Sequence, residues 1–251
     1  MLGAAVDRAD GWEAARKLAE ALNVPVWAPP ETERAAFPED HALFQGFLPF
    51  AIAPLSEQFE GHDLVFVVGA PVFRYYPYVP GEYLPEGASL LHITDDPAEA
   101  ARAPVGDSLL SDARLALEGL LNLVRPSPYP PVPARILKRD RSNPPGPVLE
   151  PADVFATLQA NRPDDAVLLI ESTSNISEFH EWVPTTRPRS FSLFASGGLP
   201  IRLRRPGLSA SGGGGLRARG AGQRAEPAGP GHPGRWRDQL LHPGALHGGP
   251  A

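Results

Sequence analysis

The apolar positions of the first 125 residues follow two different periods. Leu64-Val-Phe-Val-Val68 is an unbroken apolar run inside Asp63–Ala70. A strand without polar alternation is one covered on both faces, as in a parallel sheet. Ala88–Thr94 predicts a second strand and Pro25–Ala28 a short buried one. Between them the spacing changes to that of a helix. Ala15, Leu18, Ala19 and Leu22 share one face behind Asp10, a candidate cap. Pro49–Phe59 predicts a helix ending at Gly61, Asp95-Asp96-Pro97 opens a short one, and Asp112–Val124 repeats leucine at helical spacing. Pro29–Phe47 and Pro71–Pro85 read as loops. A helix in a parallel βαβ unit needs a strand on each side. Ahead of the first helix that strand is only Met1-Leu2, so the chain is expected to start near the end of a first strand.

After residue 124 the pattern breaks. Arg125–Pro147 holds eight prolines, too many for a helix or a central strand, and is expected to be a linker. A second unit begins at Glu150. Pro151 suits the first turn of a helix, Asp165–Ile170 reads as another buried strand, Ile176–Trp182 as a helix, and Ser190–Leu193 as a strand. From residue 200 the apolar residues lose any period. The last stretch has eight arginines, two acids, no lysine and thirteen of the 25 glycines. The expected fold is therefore α/β: a Rossmann-like parallel-sheet domain over 1–124, a proline-rich linker over 125–149, the start of a second α/β domain over 150–199, and a disordered tail over 200–251.

Composition narrows the chemistry. The formal net charge is −6 and the first 199 residues carry no basic excess, which argues against nucleic acid as their partner. Absence of cysteine excludes a disulfide framework and a cysteine nucleophile. No apolar run approaches a membrane span and no signal peptide opens the chain, so a cytoplasmic location is the default expectation. The seven histidines show no metal-ligand spacing; His41, His62, His92 and His180 read as isolated surface or core residues. Asp95-Asp96 and Asp164-Asp165 sit at element starts and read as caps.

Gly69-Ala70-Pro71-Val72-Phe73-Arg74-Tyr75, then Tyr78, Pro80-Gly81 and Tyr83-Leu84, carries a resemblance. So do Asp96-Pro97, Glu99 to Pro104, Gly106-Asp107, and Phe37-Pro38 with His41, Phe44, Gly46 and Leu48-Pro49. Together they resemble the central domain of the benzoylformate decarboxylases, a branch of the thiamine-diphosphate (ThDP) 2-oxo-acid decarboxylases. The resemblance covers roughly residues 1–199. It implies conversion of benzoylformate to benzaldehyde and CO2, the cofactors ThDP and Mg2+, and a homo-oligomer, a tetramer for the intact enzyme. By the same resemblance Glu171-Ser172-Thr173-Ser174 matches the segment that holds diphosphate oxygens. Hydroxyls and free amides at a strand-to-helix turn suit an anion, although without the family an ordinary Ser/Thr cap is the simpler reading. Ala195-Ser196-Gly197-Gly198-Leu199 matches the segment whose glycine backbone, here Gly197 and Gly198, meets the aminopyrimidine, with Leu199 near the substrate. Tyr76 stands where the family pattern has a catalytic histidine. A tyrosine does not titrate near neutrality, so the departure bears on the protonation step or on the oxo acid used.

No Gly-Asp-Gly triplet, the family's metal signature, occurs in the chain. A one-base shift of the reading frame from Arg217 permits a family-like peptide containing that triplet, so the tail is expected to be translated out of frame. The chain by itself is then expected to be inactive, to bind neither ThDP nor a metal, and to lack the N-terminal domain that the resemblance implies. Two other readings stand beside it. One is a non-catalytic α/β fragment from an acetolactate-synthase-like relative, binding a ligand such as FAD or a partner chain. The other is an interaction protein whose Arg/Gly tail binds RNA.

Overall fold

The computed structural model describes residues 1–73, 79–128, 130, 132–137 and 148–193, together with the backbone of 208–211 and 214–218. Residues 1–199 and 200–251 form two separate compact units. The first unit starts with α1 (Ala4–Arg8) and α2 (Trp12–Leu22), then β1 (Val26–Ala28), β2 (Phe44–Phe47), α3 (Ile52–Glu57), β3 (Leu64–Val68) and β4 (Ser89–Thr94). It continues through α4 (Pro97–Arg102), β5 (Asp107–Leu110), α5 (Ala113–Leu121), α6 (Pro151–Asn161), β6 (Leu168–Ile170), α7 (Ile176–Trp182) and β7 (Phe191–Leu193).

All strand pairs of this unit are parallel: β1 with β2, β3 with β4, β4 with β5, and β6 with β7. Residues 1–3 join two of these sheets into one. Leu2 N–H donates to the Trp27 carbonyl, Gly3 N–H to Val68 O, Val68 N–H to Met1 O, and the Met1 amine to Phe66 O at 2.7 Å. The order is then β2, β1, residues 1–3, β3, β4, β5. Counted along the chain this is the 3-2-1-4-5-6 order of a doubly wound sheet, and the direction of winding reverses between residues 1–3 and β3. The expectation that the first helix follows a strand is met by these three residues. Burial also desolvates the Met1 amine and pushes it down to about 5.

Alternation along the strands divides the core in two. Val65, Val67 and Leu90 face α3, packing with Leu48, Ile52, Leu55 and Phe59. Val68 and Ile93 face the opposite side, against Leu18 and Ala19 of α2 and Leu117 of α5. A third cluster joins Trp12 and Ala35 to Phe179, Val183, Phe191 and Leu193 of the later segment.

Several expectations are corrected. Asp10 does not cap α2, whose N-cap is Gly11; Asp10 takes a left-handed φ of 60° and pairs with Arg189 instead. The region expected to be a loop to Phe47 contains β2, a four-residue strand too short to show a period. β5 is a further strand that the pattern did not predict, because all four of its residues are exposed at the sheet edge. Asp96 does cap α4, accepting from Ala98 and Glu99 N–H, and Asp112 caps α5. Asp164-Asp165 lies in a turn before β6 and caps nothing. β6 is not buried: Leu169 is 38% exposed. In the second unit, β8 (Leu208–Ser211) and β9 (Gly214–Ala218) form an antiparallel pair where no element was expected. Gly212-Gly213 between them is a hairpin signal that the low-complexity reading passed over.

Candidate functional site

Reversal of strand order opens a crevice at the carboxyl ends of the strands, the place where open α/β sheets take ligands. Here it measures about 630 Å3 and lies among Ala4, Ala5, Pro29–Glu33, Gly69–Pro71 and Thr94–Asp96. Its floor demands two glycines. A Cβ on Gly3 would sit 2.4 Å from the Ala70 Cβ and 2.5 Å from the Gly69 carbonyl oxygen. Gly69 has a φ of 65°, and a Cβ there would meet Ala5 and the Val6 nitrogen at 2.9 Å. Arg8 is the one cation on the rim among the described lining residues; Glu31, Glu33, Asp95, Asp96 and Glu99 face the same space.

Under the crevice His92 is fully buried. Its Nε2 is 3.0 Å from the Ala70 carbonyl and its Nδ1 3.1 Å from Ser108 Oγ. A carbonyl can only accept, so Nε2 carries the hydrogen and Nδ1 accepts from the hydroxyl. Burial pushes the imidazole below its ordinary value, against the opposite pull of the Ala70 carbonyl and the Glu99 charge. His92 thus fixes the loop after β3 to β4 and β5 and is a core histidine, as expected.

The diphosphate candidates lie in the later segment. β6 ends at Ile170, Glu171 is exposed, Ser172 half-buried, and Thr173–Asn175 forms a single 3-10 turn that runs into α7. Ser172 makes no side-chain cap bond to the 3-10 turn, and Asn175 makes none to α7. The Ser172 side chain is half-buried and that of Ser174 exposed, and hydroxyls of this type can donate to the oxygens of an anion. No group of three metal-ligating side chains occurs among the described residues. Tyr76, Gly197, Gly198 and Leu199 lie outside the described residues.

Of the histidines read as isolated, His41 contacts Glu20 Oε1 at 3.0 Å and Phe37 edge-on, and His62 packs on Trp27. His180 is different. It is 2% exposed, and its Nδ1 is 2.9 Å from Oε2 of Glu39, which is itself 3% exposed. The same oxygen accepts from Thr185 N–H at 3.0 Å. No sequence signal pairs residues 141 positions apart; only the fold brings them together.

Comparison with known proteins places these features in context. Residues 1–120 match the thiamine pyrophosphate enzyme central domain. The chain is 46% identical to the benzoylformate decarboxylase of Pseudomonas aeruginosa over 203 residues, covering 81% of this chain and 38% of that protein. Benzoylformate decarboxylase from Polynucleobacter necessarius superposes with a TM-score of 0.75 at 41% identity, over 79% of this chain and 37% of the other. The ThDP-dependent 4-hydroxybenzoylformate decarboxylase of Rhodococcus jostii RHA1 does so at 0.73 and 44%, over 79% and 38%. The chain therefore spans less than two fifths of the length of each of these relatives.

Proposed function

We propose that this chain is the central part of a ThDP-dependent decarboxylase of aromatic 2-oxo acids, as the match of residues 1–120 to the thiamine pyrophosphate enzyme central domain supports. The reaction releases CO2 from a benzoylformate-type acid and yields the aldehyde. The supporting observation is the identity of 46% to a benzoylformate decarboxylase across most of this chain, in a fold with the same parallel sheet. ThDP, when bound, supplies the nucleophilic carbon and the sink for the electrons released with CO2. The role proposed for this chain's own residues is to hold and orient. The hydroxyls of Ser172, Thr173 and Ser174 hold diphosphate oxygens, with Glu171 beside them, and the Gly197-Gly198 backbone meets the aminopyrimidine. Leu199 and Tyr76 border the substrate.

Mg2+ binding, a tetrameric assembly and a cytoplasmic location belong to the same proposal. Among the described residues no helix is long and apolar enough to cross a membrane. The chain alone is proposed to be inactive, as its lack of a Gly-Asp-Gly metal signature supports. The domain division at 124, 149 and 199 and the out-of-frame origin of the tail are retained as proposals too.

The test is a chimera. Residues 1–199 replace the matching part of the Pseudomonas aeruginosa enzyme, and CO2 release from benzoylformate and from its 4-hydroxy derivative is followed. The chimera is expected to turn over at least one of them, and T173V/S174A in it to raise the ThDP concentration needed for half-activity about tenfold, as loss of one or two hydrogen bonds to a charged group does. A chimera that unfolds cooperatively like the parent yet releases no CO2 from either acid would refute the proposal.

A further inference from the structure

A second cavity, of about 210 Å3, lies between the loop after β2 and the first turns of α7. Its walls combine the apolar Phe47, Pro49, Phe50, Ile176 and Leu193 with the polar Glu31, Thr32 and Ser177. His180 is set into one wall, its ring centroid 4.2 Å from that of Phe47. The chemistry of that imidazole follows from its partners. The Glu39 oxygen bonded to Nδ1 also accepts from Thr185 N–H, so it acts as a carboxylate acceptor and Nδ1 carries the hydrogen. In the neutral ring Nε2 is then a hydrogen-bond acceptor. Nε2 has no partner among the described residues, yet it is not one of the fully occluded polar atoms that lack one. The space this ring borders is the cavity. A polar atom on an otherwise buried side chain, held in one tautomer and left unpaired, is uncommon in a folded protein.

We propose that this cavity is a binding site for a small neutral aromatic compound carrying one hydroxyl donor, that is, a phenol. The volume suits a single ring with a short substituent, well below the size of a nucleotide or drug-sized pocket. The Phe47 and Phe50 rings, with Pro49, Ile176 and Leu193, take the arene face. The hydroxyl donates to His180 Nε2. An anion is disfavoured, because Glu31 lines the cavity and Glu39 stands directly behind the imidazole. Glu39 is a positioning residue: it fixes the ring and its tautomer and does not touch the ligand. This inference needs neither ThDP nor the decarboxylase assignment.

The experiment uses the full chain at neutral pH, with phenol as the probe and toluene as the probe without a donor. Binding is followed by the nitrogen-15 signals of the histidine rings and by thermal shift. Phenol is expected to move the His180 Nε2 signal and to bind about tenfold more tightly than toluene, the worth of one net hydrogen bond in a buried site. His180→Phe removes the acceptor and is expected to abolish that preference. Ser177→Trp, at an exposed position on the cavity mouth, blocks access without touching the Glu39–His180 pair. It is expected to abolish binding while the His180 signals stay in place, so the test survives if the histidine variant does not fold. Equal affinity for phenol and toluene, unchanged phenol binding in S177W, or no response to phenol up to its solubility would each overturn the proposal.

Discussion

Val67 and Leu169 occupy matching places in two apolar runs of the same kind, yet the first is fully buried and the second 38% exposed. β3 sits inside a six-ribbon parallel sheet, with α3 on one face and α2 and α5 on the other. Among the described residues β6 pairs with β7 alone and is covered on the side where Phe179 and Phe191 pack. An apolar run records that a strand expects cover on both faces. Whether it receives cover depends on how many neighbours the rest of the chain provides. The later segment makes up part of the deficit with polar ties to what precedes it: Glu39 to His180 and Thr185, buried Asp7 to Arg189 N–H, and Arg135 of the connecting stretch to Glu181.

That contrast can be broken most sharply at the two matching sites. Val67→Asp places an unpaired carboxyl in the sealed core and is expected to cost on the order of 4 kcal/mol in urea unfolding followed by tryptophan fluorescence. Next in size is the response to acid. The buried Met1 amine has a folded value of about 5 against 8.0 for an ordinary amine, and burial also lowers His92 below its usual 6.5. In both cases the unfolded chain binds protons that the folded chain refuses. Stability is therefore full above about pH 8 and falls as the pH drops toward 5, by up to roughly 4 kcal/mol for the amine at about 1.4 kcal/mol per unit. A melting temperature unchanged across that window would contradict the burial of residues 1–3, and His92→Gln is expected to flatten the part of the slope below pH 6.5.

Glu39→Ala leaves His180 Nδ1–H and Thr185 N–H buried without an acceptor. A loss of about 3 kcal/mol is expected, with proteolysis between 150 and 193 rising first if the tie holds the later segment in place. Gly3→Ala forces a methyl against Ala70 and is expected to cost about 2 kcal/mol, because backbone and Cβ atoms on both sides leave no flexible end to move. Leu169→Lys is expected to change stability by no more than about 0.5 kcal/mol. A larger loss at Leu169 than at Val67 would invert the comparison.

Much of the α/β fold was legible in sequence because its signals are local. The unbroken run at 64–68 gave a strand, the helical spacing of Leu18 and Leu22 gave α2, and Asp96-Pro97 and Asp112 marked helix starts that the structure bears out. β2 and β5 escaped, one for its length and one for its exposure. The role proposed for Ser172–Ser174 rests on family resemblance, since its residues by themselves also suit a cap.

The amino-acid sequence by itself determined most of the helices and the buried strand at 64–68, and it carried the likeness of the first 120 residues to the ThDP-enzyme central domain. These follow from periodicity, backbone preferences and motif residues close together in the chain. The tertiary structure alone decided that three residues at the start complete the sheet, that the crevice opens where its winding reverses, and that Glu39 meets His180 across 141 positions. The reason is physical: a hydrogen bond between distant residues depends on how the packed layers bring them into register, and no local preference encodes that distance.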